Sequence, residues 1–228
     1  MTTNRKPSMS LKLVFSTAFS LIALMLLSCA IATAQDMSVF GMRFGEPLTI
    51  PECPTKGKYS IDYESFPSHI CYERLMVYER FGAEAFRQYD KKHPPPTLPP
   101  LGTEEVRINY PLGEMPEISN TTVGAILIDA RLVGISFGTR GIADANSVLE
   151  RLKAKYGPSP TLVSTKVQNR LGASFDAFYA LWIFPDLQVA FHSVSETVDT
   201  GLVIIDTKKG SDWREQRLKE AAKDKRPL

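Results

Sequence analysis

Histidine and cysteine are scarce in this 228-residue chain. There are three of each: His69, His93 and His192, and Cys29, Cys53 and Cys71. No two histidines stand four apart, the spacing that puts two ligands on one helix face. Cys53, Cys71 and His69 fall short of a closed zinc set. With no metal cluster and no glycine-rich nucleotide loop, we expect neither a metal nor a cofactor. A strong charge of one sign is also missing. The chain has 27 basic and 25 acidic residues, net +2. Its first 34 residues hold Arg5, Lys6 and Lys12 and no acid, so the remainder carries 24 against 25, or −1. Such a balance supplies no field to draw in nucleic acid or anionic lipid, and no nucleic-acid partner is expected. The one basic cluster, Lys208 to Arg226, is interrupted by Asp212, Glu215, Glu220 and Asp224 and reads as a solvated face.

Long apolar runs are absent except at the start. Residues 1–34 read as a signal peptide: a basic n-region, an uncharged run from Leu13 to Leu27, and the small-x-small triplet Ala32-Thr33-Ala34 before Gln35-Asp36. Cleavage near Ala34 sends the protein to the periplasm or outside the cell. Two alternatives stay open. Leu13 to Ala34 is 22 uncharged residues, and roughly 20 suffice to span a bilayer as an uncleaved anchor. Leu26-Leu27-Ser28-Cys29 also resembles a lipobox, in which a lipidated Cys29 tethers the protein to a membrane. The leader or that lipid is then the only membrane contact expected.

Cleavage leaves two cysteines. An even pair in an exported chain predicts a Cys53–Cys71 disulfide closing a loop of 17 intervening residues. The loop, with Pro54, Gly57 and Pro67, has little apolar content of its own, so a staple worth about 3 kcal/mol suits it.

The mature chain divides by composition. Residues 35–93 form an N-terminal disulfide-containing region. Residues 94–103 begin with Pro94-Pro95-Pro96-Thr97-Leu98-Pro99-Pro100, a stiff polyproline connector or a P-x-x-P ligand. Residues 104–210 carry the clearest patterning, and 211–228 a charged helical tail. In the first region Val39 to Phe44 reads as a strand and Tyr72 to Tyr89 as a helix of imperfect spacing. In the third, Glu104 to Tyr110 is a strand, and Val123 to Ile128 with Leu132 to Phe137 form a hairpin across Asp129-Ala130-Arg131. A helix follows, with Asp144 as its cap, Val148, Leu149, Leu152 and Tyr156 on one face, and Gly157-Pro158 as its stop.

Four more strands follow: Thr161 to Val167, Phe175 to Phe184, Leu187 to Val194 and Leu202 to Thr207. The second is apolar on both faces and is expected to be central and covered on both sides. The third puts Leu187, Val189 and Phe191 on one face and Gln188 and His192 on the other. Ser211 caps the tail helix, which Trp213, Leu218 and Ala221 would dock. The expected fold is α+β: an antiparallel sheet with one or two packed helices. Two related α/β units are an option, because Phe40-Gly41-Met42-Arg43-Phe44-Gly45 echoes Val133-Gly134-Ile135-Ser136-Phe137-Gly138.

Candidate catalytic residues are few. Gly134-Ile135-Ser136-Phe137-Gly138 matches the nucleophile-elbow pattern G-x-S-x-G, which needs a strained strand-to-helix turn at the serine. Here Ser136 lies in an alternating strand, and the helix waits until about Asp144. His192, with Asp186 ahead of it or Asp199 beyond it, is the candidate base, and a surface histidine is the competing reading. Glu104-Glu105 and Glu114/Glu117 show no acid–base partner. Trp182, Phe178 and Phe184 floor either a pocket or the core. Asn120-Thr121-Thr122 is a glycosylation sequon.

Two stretches resemble uncharacterised exported bacterial envelope proteins. One is Gly41-Met42-Arg43-Phe44-Gly45-Glu46-Pro47-Leu48 with Pro51-Glu52-Cys53-Pro54; the other is Lys155-Tyr156-Gly157-Pro158-Ser159-Pro160 followed by Trp182 and Pro185-Asp186-Leu187. The resemblance implies an envelope protein and supplies no catalytic residue. A looser analogy links it to small envelope-assembly lipoproteins and β-lactamase-inhibitor-like units, and fold analogy alone carries no function. The expectation is a non-enzymatic exported protein that binds another envelope protein through its sheet face or its proline-rich segment. The alternatives are a hydrolase using Ser136 or His192 and a component anchored through Cys29.

Overall fold

The computed structural model describes residues 37–54, 67–75, 100–120, 122–159 and 161–224. The predicted leader with Cys29 and Ala34, the proline run up to Pro99, His93 and most of the predicted Tyr72–Tyr89 helix lie outside them. Short strands β1 (Ser38–Val39) and β2 (Met42–Arg43) form a hairpin of their own. The other strands are β3 (Cys71–Arg74), β4 (Glu104–Asn109), β5 (Val123–Ile128), β6 (Arg131–Thr139), β7 (Thr161–Gln168), β8 (Ser174–Ile183), β9 (Gln188–His192) and β10 (Gly201–Asp206). They make one eight-stranded sheet in the order β3-β4-β5-β6-β10-β9-β8-β7, every neighbour antiparallel. Helix α1 (Ala145–Tyr156) follows a single 3-10 turn after β6, and helix α2 (Lys208–Asp224) follows β10 directly. This is an α+β fold, as the strand patterning predicts.

Side chains alternate along each strand, and opposed residues share a face. On one face Val106, Ala125, Ile135, Ile205, Val189 and Trp182 run across six strands in register, all buried. Helix α1 lays Val148, Leu149, Leu152 and Tyr156 into the same core. The indole N–H of Trp182 donates to the Gly157 carbonyl at 2.7 Å, pinning the helix end to β8. Gly157 ends the helix as its position after Tyr156 predicts, at φ 81° and ψ 179°, a positive-φ extended conformation open to glycine and not the left-handed helical cap. The β1–β2 hairpin adds Val39, Met42 and Phe44, and Phe40 meets Phe137 edge-on at 5.1 Å.

Cys53 and Cys71 form the expected disulfide. It fastens residues 51–53 along β3: the Cys53 N–H donates to the Tyr72 carbonyl and the Tyr72 N–H to the Pro51 carbonyl, both at 2.9 Å. β3 in turn pairs with β4, so the N-terminal region contributes a strand to the same sheet rather than standing apart from residues 104–210.

Several local expectations are corrected. Tyr72 to Arg74 lies in β3, not in a helix; four residues of mixed polarity carry no strong period, and β4 pairing decides them. Val39 to Phe44 is the hairpin, with Phe40 and Gly41 at φ 53° and 79° in its turn. Gly134, by contrast, is inside β6, so the Phe40–Gly45 and Val133–Gly138 segments share letters and not backbone, and they define no pair of related units. Asp144 occupies the position before α1, but its carboxylate accepts the Arg140 Nε–H at 2.6 Å and no helix N–H. Helix α2 begins at Lys208, ahead of Ser211: Thr207, between β10 and the helix, accepts the Gly210 N–H on its Oγ1 at 3.3 Å.

The docking of α2 also differs. Gly210 lets the helix backbone rest on β6: a Cβ there would fall 2.2 Å from the Val133 carbonyl oxygen. Arg214 then grips Asp206 through two hydrogen bonds at 3.0 and 3.2 Å. Leu218 is 67% exposed and Ala221 is exposed, so these two do not hold the helix down, while Trp213 is half-buried. β8 stands next to the edge strand, and its face carrying Tyr179, Leu181 and Ile183 is only partly covered.

Candidate interaction face

The second face of the sheet carries the alternate residues. Registers place Val163 (β7), Tyr179 (β8), His192 (β9), Leu202 (β10) and Gly138 (β6) in one row. The next row holds Thr161, Leu181, Ala190, Ile204 and Ser136. Ile183 and Gln188 begin a third, which runs through Asp206 and Gly134 to Ile126. α2 packs on β5, β6 and β10 and buries Ile126, Gly134 and Asp206. Beyond it the face opens. Ile183 is 66% exposed and Val163 55%, while Tyr179, Leu181, Leu202, Ile204, His192 and Ser136 are half-buried. No other helix among the described residues packs there. The result is a sheet surface of aliphatic and aromatic side chains beside solvent.

Burial sets the behaviour of its ionisable groups. Desolvation raises the Tyr179 hydroxyl above its ordinary value and lowers the His192 imidazole below its own. The two rings stack at 4.7 Å between centroids, tilted by 50°. At neutral pH His192 is therefore an uncharged aromatic member of the face. At the far margin desolvation raises the Asp206 carboxyl, and the hydrogen bond and charge of Arg214 oppose it.

Ser136 and His192 do share this face, yet the fold keeps them apart. β10 runs between their strands; Ser136 is level with Ile204 and His192 with Leu202. Two strand spacings and a two-residue offset separate their Cα atoms by roughly 12 Å, well beyond hydrogen-bond reach. Ser136 is in mid-strand, so the strained elbow is absent and G-x-S-x-G is here a strand sequence. Asp186 lies in the β8–β9 turn and His192 at the opposite end of β9, roughly 20 Å away. Asp199 is exposed in the β9–β10 loop. No Ser–His–Asp set is assembled from these candidates.

The other singled-out residues are placed as follows. Trp182 is core, with Phe178 and Phe184 at its margin. His69 is exposed and bonds Ser68 at 3.1 Å. Glu104 is buried against Arg74, and Glu117 pairs with Arg151 at 2.7 Å. Asn120 is exposed in the loop before β5. Among the described residues no three His, Cys, Asp or Glu side chains gather as a metal-binding group, and no helix is long and apolar enough to cross a membrane.

Sequence patterning reads β8 as two apolar faces and therefore misses this surface. The signal that finds it is the partner strand: the residues opposite Leu181 and Tyr179 are the small Thr161 and Val163, and Ile183 has no β7 residue opposite it in the register. Comparison with known proteins adds no relative: no protein-family model, curated protein or solved structure matches the chain.

Proposed function

We propose that this is an exported, non-enzymatic binding protein that presents the open sheet face to another protein of the cell envelope, in the periplasm or outside the cell. The observation that carries the reading is the apolar surface formed by exposed Val163 and Ile183 with half-buried Tyr179, Leu181, Leu202 and Ile204. A contiguous apolar patch beside solvent marks an interaction site more often than a neutral surface. Its aromatic and aliphatic centre, with polar Gln188 and Thr161 at the margin, is the composition of a protein–protein interface core and rim. The signal-like leader and the disulfide support an oxidising compartment outside the cytoplasm, reached by cleavage near Ala34. The separation of Ser136 from His192 weighs against the hydrolase alternative.

The test is affinity capture from envelope extract with the wild-type chain and an Ile183→Asp variant of equal thermal stability. The reading expects a partner retained by the wild type and lost from the variant. A partner held equally by both places binding elsewhere and rejects the face.

A further inference from the structure

The two edges of the sheet are treated differently. The outer side of β3 is occupied: residues 51–53 bond to Tyr72, Glu52 bridges Tyr72, and the Cys53–Cys71 disulfide locks that contact. The outer side of β7 has no neighbouring strand among the described residues. Edge strands are ordinarily blunted by proline, a bulge, charged side chains, short length or covering structure. β7 has eight residues in unbroken register with β8, and no proline or glycine lies within it. Seven of the eight are exposed, including Leu162 and Val163.

The hydrogen-bond alternation identifies the free groups. The Asn169 N–H donates to the Ala173 carbonyl and the Ser193 N–H to the Phe178 carbonyl. With the registers 169 to 173 and 178 to 193, odd residues of β7 bond β8 and even residues of β8 bond β9. Leu162, Ser164, Lys166 and Gln168 therefore aim their backbone N–H and C=O groups away from the sheet.

We propose that β7 pairs antiparallel with β7 of a second copy, about a twofold axis at Ser164–Thr165, joining two sheets into one. Charge makes the strand compatible with itself. Its single charged residue is Lys166, held by Asp176 across the hairpin at 2.8 Å. Centring the axis on Ser164 sets Lys166 opposite Leu162 of the second copy; centring it on Thr165 sets Lys166 opposite Ser164. Neither arrangement opposes lysine to lysine, and like charges directly opposite are what would destabilise such a pair. The covered β3 edge adds a second argument. With the β3 edge covered, β7 is the open edge of the eight-stranded sheet among the described residues, so the association is isologous and stops at two copies instead of growing into a fibre. This seam uses the strand edge and stands independently of the partner-binding reading of the face.

Sedimentation equilibrium over a wide concentration range, paired with amide hydrogen exchange, tests it. The purified wild-type protein is expected to form a concentration-dependent dimer. Leu162, Ser164 and Lys166 amides should gain more than tenfold protection as the dimer forms, while those of Val163 and Thr165 hardly change. Ser164→Pro deletes an outward N–H and no bond inside the sheet, and is expected to weaken the dimer more than tenfold. A wild type that stays monomeric throughout overturns the proposal, as does a dimer whose outward β7 amides exchange as fast as in the monomer. The exchange result decides the matter even if the proline variant fails to fold.

Discussion

Arg74 and Glu104 form a two-pronged ion pair inside the fold: Arg74 Nη2 and Nε donate to the two carboxylate oxygens at 2.6 and 2.8 Å. Both side chains are nearly inaccessible to solvent, and the Gly102 N–H adds a 3.2 Å bond to the Glu104 carboxylate. Removing one partner strands a buried charge, whereas replacing both with apolar groups does not. Arg74→Ala is expected to lower unfolding free energy by about 3–5 kcal/mol. The double variant Arg74→Met/Glu104→Leu is expected to fall well short of that loss. Chemical denaturation of both variants reads the difference, and equal losses would contradict the pairing.

The disulfide constrains a separation of 18 residues that includes Pro54 and Pro67. Replacing Cys53 and Cys71 together with serine is expected to cost about 3 kcal/mol. Calorimetry with and without reductant gives the same comparison: reductant lowers the melting temperature of the wild type and leaves the double variant unchanged.

Trp182 joins α1 to the sheet through packing and through its bond to the Gly157 carbonyl. Trp182→Phe retains much of the packing and loses the donor, for about 1–3 kcal/mol. Trp182→Ala also opens a cavity beside Tyr156 and is expected to cost about 3–5 kcal/mol. Denaturation midpoints that rank the two variants the other way round would contradict this assignment.

His192 makes the face sensitive to acid. Burial lowers its folded-state value, so the unfolded chain binds the proton more tightly. Stability is therefore withdrawn as pH falls through about 6.5, the ordinary imidazole value. Between about pH 7.5 and about pH 5.5 the wild type is expected to lose more stability than His192→Gln. Parallel pH profiles of the two proteins would show that His192 is not desolvated in the folded state.

Much of the architecture is legible in the residues, for physical reasons. Val148, Leu149, Leu152 and Tyr156 declare a helix because the 3.6-residue period puts them on one stripe, and Gly157-Pro158 admits no continuation. The Val123–Ile128 and Leu132–Phe137 hairpin is equally plain, with Asp129 and Ala130 at φ 52° and 59° making its turn. The disulfide follows from counting cysteines. What composition conceals is sheet order. β8 is apolar on both faces and looks central, but no helix among the described residues covers the face of Ile183, which stays in solvent. Nor can letters reveal that Ser136 and His192, which share a face, have β10 between them, since that arrangement arises from long-range pairing. At Phe40-Gly41 a tight turn replaces the expected strand because positive φ at two successive residues reverses the chain.

The open face is the claim on which the account turns, and a photo-crosslinking amino acid placed in the native chain addresses it in living cells. Substitution at Ile183 or Val163, the most exposed members of the face, is expected to give one discrete adduct with another envelope protein. The same probe at Leu218, on the exposed half of α2, is expected to give none. Adducts at Leu218 with none at Ile183 or Val163 would contradict the account and move the binding surface to the helix.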